Sequence, residues 1–123
     1  MSEVKNNLKY TKDHEWIKID GDIGVVGITD HAQSELGDIV FIELPDVGDE
    51  FNEGDVIGTI EAVKTVADLY SPFDCIVTEV NSDLEDNADN VNTSPYDIGW
   101  IVKVKVLTDT TLLTPNEYRE LVK

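Results

Sequence analysis

Short runs in which apolar and polar residues alternate recur along the chain from Trp16 onward. Clusters of Gly, Asp, Asn and Pro, which are typical of turns, separate these runs. The runs are WIKI, IGVVGI, DIVFIEL, DVIGTIE, KTVADLY, CIVTEV and WIVKVKV. Because side chains alternate between the two faces of a strand, this pattern predicts an all-β fold. The dipeptide Asp20-Gly21 predicts a two-residue hairpin between the first two runs.

Two short segments interrupt the alternation and predict helices. The first covers residues 29–37, where Asp30 is predicted as the N-cap. The second covers about 114–123, where Thr114 as N-cap and Glu117 three residues later form a capping-box signal. The expected fold is therefore all-β with a short internal helix and a C-terminal helix.

Length and charge restrict the possible partners. At 123 residues the chain is long enough for one buried core, and we expect a single domain over residues 1–123. Its 26 acidic and 9 basic residues give a formal net charge of −17. Because this charge repels phosphate backbones and anionic lipid headgroups, we expect no binding to nucleic acid or to a membrane surface. The acidic segment at residues 83–90 is interpreted as a solvated loop.

Cysteine and histidine usage gives no sign of a disulfide framework or a metal site. Cys75 is the only cysteine, and His14 and His31 lack the spacing of zinc ligands. The first twenty residues hold no apolar signal-peptide core, and no apolar run is long enough to cross a bilayer. We therefore expect a cytoplasmic protein, and a monomer.

Lys64 stands alone in the acidic middle of the chain. It is the only Lys or Arg between Lys18 and Lys103, an interval that holds twenty Asp and Glu residues. The runs on either side predict a hairpin over about 55–70 with Lys64 at or near its tip. An isolated exposed lysine is most often a plain surface charge. A Schiff-base lysine needs an apolar or cationic environment, so this position favours covalent modification by another enzyme instead.

Several segments of the chain match one known family. They are Tyr10 with HEW at 14–16, GITDHAQ from Gly27, LGDIVFIELPDVG from Leu36, IEAVKTVADLYSP from Ile60, EVN at 79–81, VNTSPYDIGWIVKVK from Val91, and Tyr118. In these segments the chain resembles the H protein family of the glycine cleavage system, over most of its length. The motif EAVKT stands where the family commonly has ESVKA. Lys64 thereby matches the lysine that bears lipoic acid in amide linkage.

The resemblance implies a carrier with no catalytic residues of its own, on a lipoyl/biotinyl-like barrel-sandwich hybrid, or hammerhead, fold. Lipoyl-Lys64 would shuttle an aminomethyl group from glycine decarboxylase, the P protein, to a tetrahydrofolate-dependent aminomethyltransferase, the T protein. Dihydrolipoamide dehydrogenase, the L protein, would reoxidise the dithiol. A lipoate-attaching enzyme would modify the lysine. The physical advantage is effective concentration, because a tethered group reaches each active site without free diffusion.

Four further residues receive roles from the resemblance. Glu61 lies three residues before the lysine, in the acidic approach that lipoyl-attaching enzymes read in this family. Val63 directly precedes the lysine and is grouped with these recognition contacts. Glu15 and Asp68 match positions near which the loaded arm rests, where a carboxylate can hold a protonated amine. Glu61, Glu15 and Asp68 also have a simpler interpretation as surface residues.

Cys75 departs from the family pattern, which usually has a turn glycine at this position. If the turn needs positive φ, a cysteine there is strained by about 1 kcal/mol or more. We expect a partly buried, inert thiol rather than one that exchanges with the lipoyl disulfide.

Three alternative functions remain open from the sequence. A biotinyl carrier also has a lysine at a hairpin tip, but characteristically between methionines, whereas Val63 and Thr65 flank Lys64 here. A lipoyl relay protein would pass its lipoyl group to other dehydrogenase complexes, and transfer assays rather than sequence separate that role from glycine cleavage. An interaction module would keep Lys64 unmodified.

Overall fold

The computed structural model describes residues 3–108 and 110–123, which are mostly strands. The strands are β1 (Lys9–Tyr10), β2 (Glu15–Asp20), β3 (Ile23–Ile28), β4 (Ile39–Glu43), β5 (Glu50–Phe51), β6 (Val56–Ala62), β7 (Val66–Tyr70), β8 (Cys75–Val80) and β9 (Val102–Val106). The helices are α1 (Asp30–Leu36), α2 (Asn90–Thr93) and α3 (Pro115–Leu121), with a 3₁₀ helix at Ser82–Glu85. None of the helices within the described ranges is long and apolar enough to cross a membrane.

The strands form two antiparallel sheets. The larger sheet has the order β1-β2-β3-β9-β8-β5, and the smaller has the order β4-β6-β7. Each of the seven runs predicted from alternation contains a strand, so the all-β prediction is confirmed. The strands β1 and β5 were not predicted, because two residues are too few to show an alternation of apolar and polar positions.

Apolar side chains from both sheets form the main buried core, and Leu8, Tyr10, Trp16 and Tyr118 form a second, smaller buried cluster. The main core includes Ile17, Val26, Ile42, Ile60, Leu69, Val77, Val102 and Val104. Leu84 and Ala88 also belong to this core. The interpretation of residues 83–90 as a solvated segment therefore holds for its acidic side chains, which are exposed, but not for Leu84 and Ala88, which are buried.

Two local predictions were displaced by one residue. The first hairpin pairs Asp20 with Ile23, so its loop is Gly21–Asp22, with Gly21 at a φ of 65°. The N-cap of α1 is Thr29, whose side chain accepts from the Ala32 amide, while Asp30 is the first helical residue. In each case the turn contains the predicted residue types, but the hydrogen bonds place the loop or the N-cap one residue away from the predicted position.

The C-terminal helix α3 has the predicted capping box. The Thr114 hydroxyl accepts from the Glu117 amide, and the Glu117 carboxylate accepts from the Thr114 amide. Tyr118 is fully buried and stacks on Tyr10, with the ring centroids 4.6 Å apart. This contact fastens the helix to the larger sheet.

Cys75 is the first residue of β8, and its φ is not positive. The expected strain is therefore absent, because the backbone is extended where a turn glycine was anticipated. The side chain is completely buried, and burial raises the pKa of the thiol. An inert thiol is what this environment produces.

Candidate functional site

Lys64 lies at the tip of the hairpin formed by β6 and β7. Two hydrogen bonds fix the tip, from the Ala62 amide to the Thr65 carbonyl (2.8 Å) and from the Val63 amide to the Asp38 carbonyl (3.0 Å). The second bond joins the tip to the residue that precedes β4. The backbone that carries Lys64 is therefore held on two sides.

The side chain of Lys64 is exposed to solvent. None of the ion pairs between described residues includes it. Val63 beside it is 70% exposed, and Thr65 and Val66 are exposed as well. An external enzyme can therefore reach the amine without unfolding any part of the hairpin.

Glu61 and Asp68 lie on the strands below the tip. Glu61 is half-buried near the end of β6 and pairs across the sheet with Val66. Asp68 is exposed on β7, opposite Thr59. The structure thus places two carboxylates on the stem of the hairpin and leaves the tip itself without one.

A cleft of about 160 Å³ opens beside this stem. Its walls come from the start of β2, from α1 and from the hairpin, and its lining residues are Asp13, His14, Glu15, Ile28, Ala32, Glu35, Leu36, Ile60, Ala67 and Asp68. Apolar and carboxylate side chains share the lining. Glu15 and Asp68, which are far apart in sequence, both line this cleft.

Glu15 is an almost completely buried carboxyl group, 1% exposed. One oxygen accepts from the Tyr70 amide at 2.6 Å, and the other accepts from the Thr11 hydroxyl at 3.0 Å. Burial raises the pKa of Glu15 to about 8, although these two hydrogen bonds act in the opposite direction. A simple surface role for Glu15 is therefore wrong, because the residue ties β2 to the end of β7.

The structure also brings together two histidines that sequence spacing did not connect. The rings of His14 and His31 lie 4.8 Å apart, and His14 Nδ1 is 2.9 Å from the Tyr118 hydroxyl. That hydroxyl is 2.7 Å from Thr29 Oγ1. Burial and the neighbouring His31 lower the pKa of His14.

His14 is the one non-glycine residue in the described ranges with a positive φ, 66°. Its separation of 17 positions from His31 hid the pair, and no periodic signal in the sequence could have revealed it. Across the described ranges, no group of three or more His, Cys, Asp or Glu residues is arranged to hold a metal.

Comparison with known proteins identifies the family. The family model described as "Glycine cleavage H-protein" matches residues 8–123. The chain belongs to the glycine cleavage H-protein family. A glycine cleavage system H protein of Rubrobacter xylanophilus is 52% identical over 118 residues, which are 96% of this chain and 94% of the relative. Its counterpart in Staphylococcus epidermidis is 48% identical over 122 residues, or 97% of each chain.

A solved structure agrees with this assignment. The crystal structure of an H protein from Mycobacterium marinum matches with a TM-score of 0.90 and 39% sequence identity, over 95% of this chain and 97% of that one. The fold is thus that of an H protein, consistent with the lipoyl-domain barrel-sandwich prediction. As a member of the H-protein family, the chain acts as a lipoyl carrier of the glycine cleavage system rather than as a biotinyl carrier.

Proposed function

We propose that Lys64 is the residue that carries lipoic acid, in amide linkage through Nζ. The observation that carries this proposal is an exposed lysine on a hydrogen-bonded hairpin tip in a chain of the H-protein family. The tip fits the group because it leaves Nζ open to solvent. A swinging arm requires a fixed backbone at its base and a side chain that is free to move.

Lipoic acid held on Lys64 would supply a disulfide able to accept the aminomethyl group left by glycine decarboxylation. The chain's own residues hold and present this arm, and they perform no catalysis. Its specific partners are the decarboxylase, the aminomethyltransferase, dihydrolipoamide dehydrogenase and the lipoate-attaching enzyme. Nothing in the structure favours the relay role, which transfer assays would test.

Glu61 and Val63 present the lysine to the attaching enzyme. Glu61 is the carboxylate nearest to Lys64 along β6, and Val63 is the exposed neighbour of the lysine at the tip. A cation on the attaching enzyme that pairs with Glu61 would orient the tip.

Glu15 and Asp68 form a resting place for a protonated amine in the cleft. Asp68 is exposed at the rim, whereas Glu15 is buried, with its two oxygens hydrogen-bonded to Tyr70 and Thr11. An entering ammonium group would favour the ionised form of Glu15, because an opposite charge nearby lowers a carboxyl pKa. Ile60 and Leu36 line the same cleft and limit the access of water to the bound amine.

Reconstitution with glycine and the decarboxylase tests whether the cleft holds the protonated amine. Lipoylated wild-type protein is loaded, and the loss of the amine to water is followed by mass spectrometry. Asp68→Asn is expected to lose the amine several-fold faster, because the rim carboxylate no longer holds the cation. Glu43→Gln, which removes an exposed carboxylate outside the cleft, is the control. Equal loss rates for wild type and Asp68→Asn would rule out the resting role.

A further inference from the structure

Three hydrogen-bonded side chains connect α1 and α3 with the wall of the cleft. The Thr29 hydroxyl accepts from the Ala32 amide at 3.2 Å. It also lies 2.7 Å from the Tyr118 hydroxyl, which in turn lies 2.9 Å from His14 Nδ1. His14 lines the cleft, whereas Thr29 and Tyr118 are completely buried. We call the side chains of Thr29, Tyr118 and His14 the hydroxyl network.

The backbone holds the His14 ring beside α1 and α3. Its φ of 66° lies in the left-handed region, which residues other than Gly rarely adopt. The His14 amide donates to the Thr11 carbonyl at 3.2 Å, and the His14 carbonyl accepts from the Thr29 amide at 3.0 Å. Both backbone groups are therefore bonded, and the ring stays next to His31 and Tyr118.

Only one direction of donation satisfies every hydroxyl of the network. Within the described part of the chain, the Thr29 hydroxyl has two partners, the Ala32 amide and the Tyr118 oxygen, and the amide can only donate. The Thr29 proton therefore goes to Tyr118, and the Tyr118 proton goes to His14 Nδ1. A ring whose Nδ1 accepts is neutral, with its proton on Nε2. The opposite direction would leave the Thr29 proton buried without an acceptor, which is unfavourable.

Titratable groups face His14 from each element around the cleft. They are Asp13 in the preceding loop, Glu15 on β2, His31 and Glu35 on α1, Asp68 on β7 and Tyr118 on α3. Burial and then the nearby His31 lower the pKa of His14, whereas Asp13 and Glu35 act in the opposite direction. Among the described residues that line the cleft, His14 is the only one that can become positively charged.

We propose that His14 is an acid-sensitive release switch for an amine held in the cleft, and that Tyr118 and Thr29 are positioning residues that keep His14 neutral. This inference rests on the proposed function of the cleft as a resting place for a protonated amine. A neutral ring leaves the cleft carboxylates free to hold the ammonium group. Uptake of one proton on Nδ1 reverses the hydroxyl network and puts a cation beside the ammonium. Repulsion between the two like charges then speeds the departure of the amine.

The hydrogen-bond direction is tested in the unloaded protein by imidazole ¹⁵N and ¹³C chemical shifts. At pH 7.5, wild-type His14 is expected in a single neutral tautomer with its proton on Nε2. Tyr118→Phe removes the donor to Nδ1 and should give a mixture of the two tautomers. The matched control is Tyr10→Phe, which loses an equally buried hydroxyl that donates to the Lys5 carbonyl instead. Its His14 should keep the wild-type tautomer.

Release is tested with lipoylated protein that is loaded from glycine by the decarboxylase and then shifted to pH values from 8 to 5. Loss to water consumes one water molecule, returns the thiol and frees formaldehyde and ammonium, with no change of oxidation state. His14→Asn tolerates the left-handed φ, keeps an acceptor oxygen for Tyr118 and takes up no proton. We expect equal loss rates at pH 8 and loss about fivefold faster in wild type than in His14→Asn at pH 5.

His31→Gln is the second control, because the His31 side chain is not part of the described lining of the cleft. Acid should still speed the loss of the amine in this variant. The midpoint of that effect should move to higher pH, since the neighbouring imidazole that lowers the pKa of His14 is gone.

Three results would overturn the inference. Equal loss rates for wild type and His14→Asn at pH 5 would show that His14 does not control release. A proton on Nδ1 of wild-type His14 at pH 7.5, or an unchanged tautomer in Tyr118→Phe, would remove the positioning role of Tyr118. Wild-type protein that takes up no aminomethyl group would overturn the proposed function and the switch with it, although the tautomer measurement on unloaded protein would still decide the hydrogen-bond direction.

Discussion

Glu15 is a buried carboxyl group that affects both the stability of the fold and the chemistry of the cleft. It is held by the Tyr70 amide and the Thr11 hydroxyl, and these contacts close β2 against β7 beside the stem of the hairpin. Burial raises its pKa from an ordinary 4.5 to about 8. In the folded state without a cation in the cleft, the group is therefore largely protonated at neutral pH.

This shift predicts a specific dependence of stability on pH. Between pH 4.5 and 8 the folded state binds a proton on Glu15 that the unfolded chain has released. The contribution of Glu15 to stability is thus complete below pH 4.5 and is lost as pH rises to about 8. The unfolding free energy of Glu15→Gln should therefore rise relative to that of wild type, by up to a few kcal/mol, between pH 4.5 and 8. Urea unfolding at several pH values measures the difference.

Glu43→Gln is the matched control, since Glu43 is exposed and its loss should leave the pH dependence close to that of wild type. A stability difference between Glu15→Gln and wild type that is the same at pH 5 and pH 8 would contradict the assigned protonation state.

Cys75 gives a second prediction about a single residue. Its thiol is fully buried, and Ser71 Oγ is 3.4 Å from its sulfur. Because only an accessible thiolate reacts readily, an aromatic disulfide reagent should label the native protein at least about a hundredfold more slowly than the urea-unfolded protein. Rapid labelling of the native chain would show that Cys75 is open to exchange with the lipoyl disulfide.

At the scale of elements, periodic segments were predictable and hydrogen-bond register was not. Alternation located the seven longer strands, and the capping box located α3, because both signals are local in sequence. Thr29 replaced Asp30 as the N-cap because either side chain can accept from the first turn. The contact of His14 with His31 is tertiary, so no local pattern encodes it.

The candidate site, like the fold, was predictable from the sequence only in part. The family motif singled out Lys64, Glu15 and Asp68 as candidates, and the structure places Glu15 and Asp68 in the lining of one cleft. The burial of Glu15 and its hydrogen bond with the Tyr70 amide depend on how β2 and β7 meet in the fold, and no local pattern encodes that contact. The exposure of Phe41 likewise depends on the register of β4 against β6, because a one-residue shift would turn its side chain toward the core.

The capping box of α3 supports a prediction at this scale. Thr114→Ala removes the hydroxyl that accepts from the Glu117 amide, so the protein should lose about 1 kcal/mol of unfolding free energy. Thr114→Ser keeps the hydroxyl and should stay close to wild type. Chemical denaturation measures both variants. Equal stability of Thr114→Ala and wild type would show that the packing of Tyr118 alone holds the helix.

At the scale of the whole molecule, the net charge of −17 predicts how the protein associates with its partners. Partner enzymes should present basic docking surfaces, and electrostatic attraction should raise their association rates. The affinity for the decarboxylase is therefore expected to weaken as salt increases, since the screening length is about 10 Å at 0.1 M. Binding measured from low to high NaCl concentration tests this. If the affinity does not change with salt concentration, the prediction is wrong and apolar contacts rather than charge carry the affinity.

The central claim is that Lys64 is the point of lipoyl attachment, and one measurement tests it directly. Wild type and Lys64→Ala are expressed with lipoate supplied and a competent attaching enzyme present, and intact mass is combined with peptide mapping. One lipoyl group on the Lys64 peptide of wild type, absent from Lys64→Ala, is the predicted result. An unmodified wild-type Lys64, or a lipoyl group retained in Lys64→Ala, would contradict the claim.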